Sequence, residues 1–285
     1  MKVDLHCHSL ASDGALTPQH VVERASANKV EMLALTDHDT IAGLSEASVA
    51  AADLGLQFVA GIELSSQWSG VGIHVVGLNI DPHNPDLILA LAGQSKKREE
   101  RAQLIGKKLG KLGFDNCYEG AKNIAGDSEL GRPHFARYMV EQGYVEDHSS
   151  AFNKYLGAGK VGDVKNQWPE IEEVVSWIHT AGGYAVLAHP DKYKLTRTKL
   201  RRLLTYFKEV RGDAMEVVSG SQNKGVTDHL SRLCEEFDLY ASCGSDFHNP
   251  NTQWCDLGKV APLPKICRPV WSLWSSLADQ ETLTQ

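Results

Sequence analysis

Apolar residues along this chain fall into short runs that alternate with stretches of helical spacing. That is the pattern of βα units around a mainly parallel sheet. The runs Val3–Leu5, Met32–Thr36, Phe58–Ile62 and Ile73–Leu78 predict successive strands. Between the first two, Thr17-Pro18 reads as an N-cap followed by proline at the first helical position, with Val21, Val22 and Ala25 as the apolar side. An alanine-rich helix over Ile41–Leu54 follows the second strand.

After Asp81-Pro82 the pattern changes, and to about Val164 it predicts helices without a strand. In Lys96–Leu112, the residues Ala102, Ile105, Leu109 and Leu112 form one stripe at helical spacing, with Lys97, Arg101, Lys108 and Lys111 beside it. The βα pattern then resumes. A helix near Glu170–Thr180 has Pro169 at its start, acidic residues in its first turn and Gly182-Gly183 at its end. Strands follow at Tyr184–Ala188, Ala214–Val218 and Leu239–Cys243. The expected organisation is an α/β barrel of residues 1–81 and 165–285, interrupted by a helical insertion domain of residues 82–164.

At 285 residues, 42% hydrophobic and 23% charged, the composition is that of an ordinary globular protein. No apolar run approaches the roughly 20 residues that span a bilayer, so no membrane association is expected. The N-terminus lacks the apolar core and cleavage site of a signal peptide, and the six cysteines are scattered without a C-x-x-C pair. Both features predict reduced thiols and a cytoplasmic location. The net charge of −7 argues against nucleic acid as a partner, but it averages over local patches. Lys96–Lys111 holds seven basic residues against two acidic ones, and a second basic stretch runs from Lys192 to Arg202.

The chemistry lies in where the histidines fall. His6 and His8 follow the first strand, His38 the second, Glu63 the third, His189 the strand Tyr184–Ala188, and Asp246 and His248 the last. His74 is the irregular one, near the start of its own strand. Side chains at the C-terminal ends of parallel strands are where barrel active sites are built. His6 and His8 are two residues apart, as are Asp246 and His248, so each pair points to one side of an extended chain and can grip one ion. Imidazole and carboxylate without thiolate suit manganese, iron or zinc. Each residue alone reads as a core histidine, a helix cap or a turn; their joint position at strand ends is what outweighs those readings.

The ordered segments DLHCHS with SDG, TDHD, GIE, the histidine of Gly72-Ile73-His74-Val75, AHP and GSDFH together resemble the PHP (polymerase and histidinol phosphatase) superfamily, from Asp4 to about Gly258. Gly131-Arg132-Pro133-His134-Phe135-Ala136-Arg137 resembles the bacterial subgroup containing 3',5'-nucleoside bisphosphate phosphatases and the 5'-to-3' exoribonuclease RNase AM, and the tail Val270-Trp271-Ser272-Leu273-Trp274 fits the latter branch. The resemblance implies a distorted (β/α)7 TIM-like barrel holding three divalent metal ions, manganese foremost, with zinc or iron as alternatives. It assigns His6, His8, Glu63 and Asp246 to one ion, Asp13, His38 and His248 to a second, and Glu63, His74 and His189 to a third. Asp13 stands where many of these proteins carry histidine, and the added negative charge favours manganese over zinc.

The expected reaction is water attack on a phosphate ester. Arg132 is expected to bind a phosphate through its planar fork. His134 is expected to hydrogen-bond that phosphate or act as general acid, while Asp246 also counts among the catalytic residues. Arg98 and Arg101 are expected to guide a nucleic-acid backbone, and Asp37 and Asp39 to orient ligand imidazoles. The foremost expectation is a 5'-to-3' exoribonuclease that hydrolyses 5'-phosphate ester bonds of RNA carrying a 5'-monophosphate, processes RNA 5' ends and also accepts 3',5'-nucleoside bisphosphates. A bisphosphate phosphatase without RNA activity is the alternative, and an inactive metal-stabilised module ranks below both. No obligate protein partner is expected.

Overall fold

The structure, a computed structural model, describes residues 1–164, 168–251 and 255–274. Residue 165, where the barrel is expected to resume, and the tail beyond residue 274 lie outside the described residues. Seven strands follow one another in chain order: β1 (Val3–Asp4), β2 (Met32–Leu35), β3 (Gln57–Trp68), β4 (Val71–Leu78), β5 (Tyr184–Leu187), β6 (Ala214–Ser219) and β7 (Tyr240–Gly244). The first and last strands are drawn together by Leu5 N donating to Cys243 O at 3.0 Å, His8 N to Phe247 O at 2.9 Å and Asp246 N to His6 O at 2.8 Å. The result is a distorted α/β barrel.

The helices are α1 (Pro18–Ala27), α2 (Leu44–Asp53), α3 (Pro85–Gly110), α4 (Cys117–Ala125), α5 (Arg132–Glu141), α6 (His148–Ala151), α7 (Ile171–Thr180), α8 (Arg197–Glu209) and α9 (Lys224–Glu236). In α1 the Thr17 side chain accepts from His20 N, as its N-cap position requires. The apolar side of each barrel helix recurs at helical spacing: Ile171, Val174, Val175 and Ile178 in α7, and Leu200, Leu203, Leu204 and Phe207 in α8, are all buried. Burial of each such side chain contributes roughly 1.5–3 kcal/mol. Among the described residues, no helix is long and apolar enough to cross a membrane.

Two elements differ from the sequence expectation. The sheet is not parallel throughout, because β4 runs antiparallel to both β3 and β5. The cause is a two-residue turn: Trp68 pairs with Val71, and Ser69 and Gly70 between them have φ of 48° and 73°. Positive φ at both central residues is the hairpin geometry that matches strand twist. It extends β3 well past Ile62. Secondly, the helix expected from Lys96 begins at Pro85, with the Asn84 side chain accepting from Asp86 N and Leu87 N. At 26 residues this helix is about 39 Å long, and its two halves face different cores. Leu87 and Leu91 join the barrel cluster. Ala102, Ile105 and Leu109 pack instead with Cys117 and Ala121 of α4 and Phe135, Ala136 and Met139 of α5. Leu112, expected on that stripe, lies beyond the helix end and is exposed.

Barrel closure leaves no room at Gly244, where a Cβ would lie 2.3 Å from His6 Cβ and 2.7 Å from His6 N. Gly244→Ala should therefore cost about 1–3 kcal/mol of overpacking. Thermal unfolding should show a midpoint lower by several degrees; an unchanged midpoint would contradict this account of closure.

Candidate metal centre

Strand geometry delivers the histidines to one rim. His6 and His8 leave β1 in extended chain, and the intervening Cys7 turns its thiol the other way, donating to Ala34 O at 3.2 Å. Asp13 sits on the turn after His8, closed by Gly14 N donating to Ser9 O at 2.9 Å. A Cβ on Gly14 would stand 2.5 Å from His8 O, so only glycine fits there. His38, just past β2, bridges in register with Glu63 of β3. The irregular position of His74 is explained by the direction of β4. That strand runs opposite to its neighbours, so its beginning lies at the rim where the parallel strands end, and His74 pairs with Ser65 just beyond Glu63. Backbone strain accompanies the arrangement: His189 and Asp246 have φ of 27° and 54°, a region unfavourable for side-chain-bearing residues.

Glu63, 1% exposed, is the centre of the cluster. Its Oε2 lies 3.2 Å from both His6 Nε2 and His8 Nε2 and 3.0 Å from His38 Nδ1. Its Oε1 lies 2.8 Å from His74 Nδ1 and 3.0 Å from His189 Nε2. Asp246 Oδ1 approaches His8 Nε2 at 3.5 Å and His6 Nε2 at 3.7 Å. Asp13 faces His248 Nε2 at 3.3 Å and His38 Nε2 at 3.7 Å. Among the described residues, four sets of donors could each hold a cation, and together they comprise the nine residues singled out from the sequence.

The residues fit divalent cations on chemical grounds. His6 Nε2 and His8 Nε2 are 3.1 Å apart, so with Glu63 Oε2 they form a near-equilateral triangle of donor atoms. Octahedral metal–ligand bonds of roughly 2.1 Å at right angles place neighbouring donors about 3 Å apart. Moreover, the Nδ1 atoms of His8 and His189 are buried without a hydrogen bond, and Glu63 Oε2 and His38 Nδ1, though 3.0 Å apart, form none either. Buried polar atoms without partners are rare and signal a missing one.

Electrostatics point the same way. Burial opposes charge on Glu63, but the imidazoles of His38, His6 and His74 outweigh it and hold the carboxyl well below its usual range. Asp13 and Asp246 are likewise lowered against the cost of burial, by neighbouring imidazoles and, for Asp246, by Lys192 as well. For His8 the surrounding carboxylates overcome burial and push the imidazole up to about 10. The pocket thus concentrates negative charge and draws positive charge into a dry interior.

Around this cluster stand groups the sequence did not reveal as functional. Glu216 of β6, buried, binds His6 Nδ1 at 2.5 Å through Oε1 and receives the backbone His189 N at 2.7 Å on Oε2, orienting one imidazole and fixing the backbone that carries another. Its only signal was a charge inside the apolar run Ala214–Ser219. Tyr193 Oη accepts from His74 N and donates to Ala188 O. Lys192 Nζ pairs with Asp246 Oδ2 at 2.6 Å. Asp37 and Asp39, expected to orient imidazoles, do other work. Asp37 accepts from Ser9 N, Ser9 Oγ and Ser12 Oγ, and so shapes the Asp13 turn. Asp39 accepts from Ser65 N, Gln94 Nε2 and Arg98 Nε. The φ of 52° at Asp39 accompanies the turn of its side chain toward Ser65 and Arg98.

Arg98, expected to face a nucleic acid, is buried, with Nε 2.7 Å from Asp39 Oδ2 and Nη2 3.1 Å from Ser65 Oγ. It ties α3 to the barrel rim. Arg101 donates from Nε to Val164 O at 3.3 Å, and Arg132 from Nη1 to Leu156 O at 3.0 Å. Burial, with the charges of Arg132 and Arg98 added, pulls Arg101 down to about 9. The three guanidinium groups thus lie close enough to repel one another, and Arg98 among them is neutralised by its ion pair with Asp39. His134 accepts from Gly131 N on Nδ1, and burial lowers its pKa, so the neutral ring carries its proton on Nε2.

A family model described as the PHP domain matches residues 4–211. A 5'-3' exoribonuclease of Haemophilus influenzae is 47% identical, over 95% of this chain and 98% of that protein. A 3',5'-nucleoside bisphosphate phosphatase of Chromobacterium violaceum is 44% identical, over 94% of this chain and 95% of that one. A solved structure of an amidohydrolase from Chromobacterium violaceum, with bound sulfate and no metal, superposes with a TM-score of 0.91 at 42% identity, over 97% of this chain and 96% of the other.

Removing one member of a buried ion pair leaves the other uncompensated. Arg98→Ala should therefore destabilise the protein by about 3–5 kcal/mol, read in denaturant unfolding, and Asp39→Asn added to it should recover part of the loss. Glu216→Gln should leave the fold intact but weaken divalent-cation affinity by roughly 10- to 100-fold, because it loosens His6. A chelator-competition titration measures this, and an unchanged affinity would remove Glu216 from its orienting role.

Proposed function

Because this chain belongs to the PHP domain family, we propose that it is a metal-dependent phosphoesterase acting at the 5' end of RNA, releasing mononucleotides, and also accepting 3',5'-nucleoside bisphosphates. The observation that carries this reading is the convergence of nine imidazole and carboxylate side chains around the buried Glu63. Manganese is the foremost of the candidate ions, with zinc or iron as alternatives, and three ions match the number of donors. When bound, such ions supply neutralisation of phosphoryl oxygens and an acidified water nucleophile.

The chain's own residues do the rest. His6, His8, Glu63 and Asp246 would form one ligand set, Asp13, His38 and His248 a second, and Glu63, His74 and His189 a third. Glu63 is suited to bridge, since its two oxygens face different imidazoles. Glu216 keeps His6 and the His189 backbone in place. Lys192 can offer its ammonium to a phosphoryl oxygen beside Asp246. An RNA end and a bisphosphate nucleotide share one feature, a nucleoside flanked by two phosphate groups, one to be attacked and one to be held. Arg132, with Arg101 behind it and His134 Nε2–H beside it, would hold the second. In this reading residues 82–164 form a helical domain that caps a barrel of residues 1–81 and 165–285, in a cytoplasmic enzyme.

A bisphosphate phosphatase without RNA activity is the competing reading, favoured by the Chromobacterium violaceum relative. Digestion of 5'-monophosphorylated RNA and of adenosine 3',5'-bisphosphate with manganese decides between them. Asp246→Ala and Glu63→Ala should abolish turnover of both and lower metal content by elemental analysis. Arg132→Ala should raise KM by roughly 10- to 100-fold, the cost of one charged hydrogen-bonding partner, while metal content stays intact. If Arg132→Ala emptied the metal site instead, its assigned role would be wrong.

A further inference from the structure

Beside the metal centre lies a cavity of about 380 Å³, and to part of its wall the reading above assigns no role. Its walls include Lys192, Ser219, Gln222, Asp246 and His248. They rise from the loop after β5, the end of β6 and the end of β7. The arginine cluster, by contrast, is anchored over β2 and β3 through Arg98, Asp39 and Ser65. In a ring of strands ordered β1 to β7, those two regions belong to different arcs of the rim.

Two residues of its wall carry buried polar atoms without a hydrogen bond. Ser219, 4% exposed, has a buried Oγ without a hydrogen bond. Gln222 is held by its amide nitrogen, which donates to Val217 O at 2.7 Å and Thr227 Oγ1 at 2.9 Å. That grip leaves Oε1 buried and unmatched. An acceptor-only oxygen calls for a ligand that donates a hydrogen bond, and a hydroxyl can receive one as well. The volume lies in the range of small-ligand pockets, roughly 300–1,000 Å³.

Resting on the proposed reaction, we infer that this cavity receives the ribose of the nucleotide downstream of the attacked phosphate. RNA differs from a 3',5'-bisphosphate in just this respect: its scissile phosphorus carries a further nucleotide, which must leave the centre on the side opposite the held phosphate. An exonuclease proceeding along a mixed sequence meets every base, so the donor common to all its substrates is the ribose 2'-hydroxyl. Gln222 Oε1 and Ser219 Oγ are the groups to receive it. The cavity is thus what separates activity on RNA from activity on the mononucleotide.

The test is the ratio of kcat/KM for a 5'-monophosphorylated RNA tetramer to kcat/KM for adenosine 3',5'-bisphosphate, with manganese. Ser219→Ala removes an unpartnered hydroxyl, so thermal stability should be unchanged while the ratio falls by about fivefold, as loss of one hydrogen bond implies. Ser221→Trp, at an exposed position on the same wall, should occlude the cavity and lower the ratio further. A 2'-deoxy sugar at the second nucleotide should slow the wild type and have little added effect on Ser219→Ala. An unchanged ratio in both variants, or a response to the base at that nucleotide but not to its 2'-hydroxyl, overturns the inference and leaves the phosphoesterase reading standing. Wild-type hydrolysis of the bisphosphate alone also overturns it. Hydrolysis of neither substrate overturns both.

Discussion

A carboxylate with almost no access to water, Glu63 is tolerable only because positive or polarisable groups surround it on every side. Five imidazoles approach its two oxygens at 2.8–3.2 Å. An isolated charge in such a place would be expelled or neutralised. The barrel therefore has to bring its strand ends together tightly, since any strand that withdrew its histidine would leave part of that charge uncompensated. The tight approach of Gly244 to His6 and of Gly14 to the His8 carbonyl belongs to the same demand.

The reversal of β4 follows from it as well. Had β4 run parallel to its neighbours, its residues near the start would have pointed to the far rim and His74 could not have faced Glu63. The two-residue turn at Ser69-Gly70 reverses the strand and so supplies the fifth imidazole. The rim is then locked to the helical region by the buried Arg98–Asp39 pair. That pair couples two cores that, among the described residues, share only the long helix α3 as a continuous element.

Most strands were legible because strands buried on both faces read as unbroken apolar runs. Six of the strand positions agree with the sequence reading to within one or two residues at each end. The boundaries of β3 and α3 were not legible. The former depends on a turn whose signal is only a Ser-Gly dipeptide. The latter depends on Leu87 and Leu91, whose burial requires the barrel wall to be there. Glu216 escaped for a related reason: a single charge in an apolar strand announces that something pairs with it, but its partner His6 lies 210 positions away.

The kinds of donor atom at the rim, and the absence of thiolate among them, were settled by the amino-acid sequence alone. Residue type and place at a strand end are local properties, which a linear reading can hold. Which carboxylate faces which imidazole was a matter for the tertiary structure. So were the commitment of Arg98 to Asp39 rather than to solvent, and the unmatched oxygens of Ser219 and Gln222 beside the centre. Those depend on ångström-scale distances between segments that meet only when the ring of strands closes and α3 docks upon it.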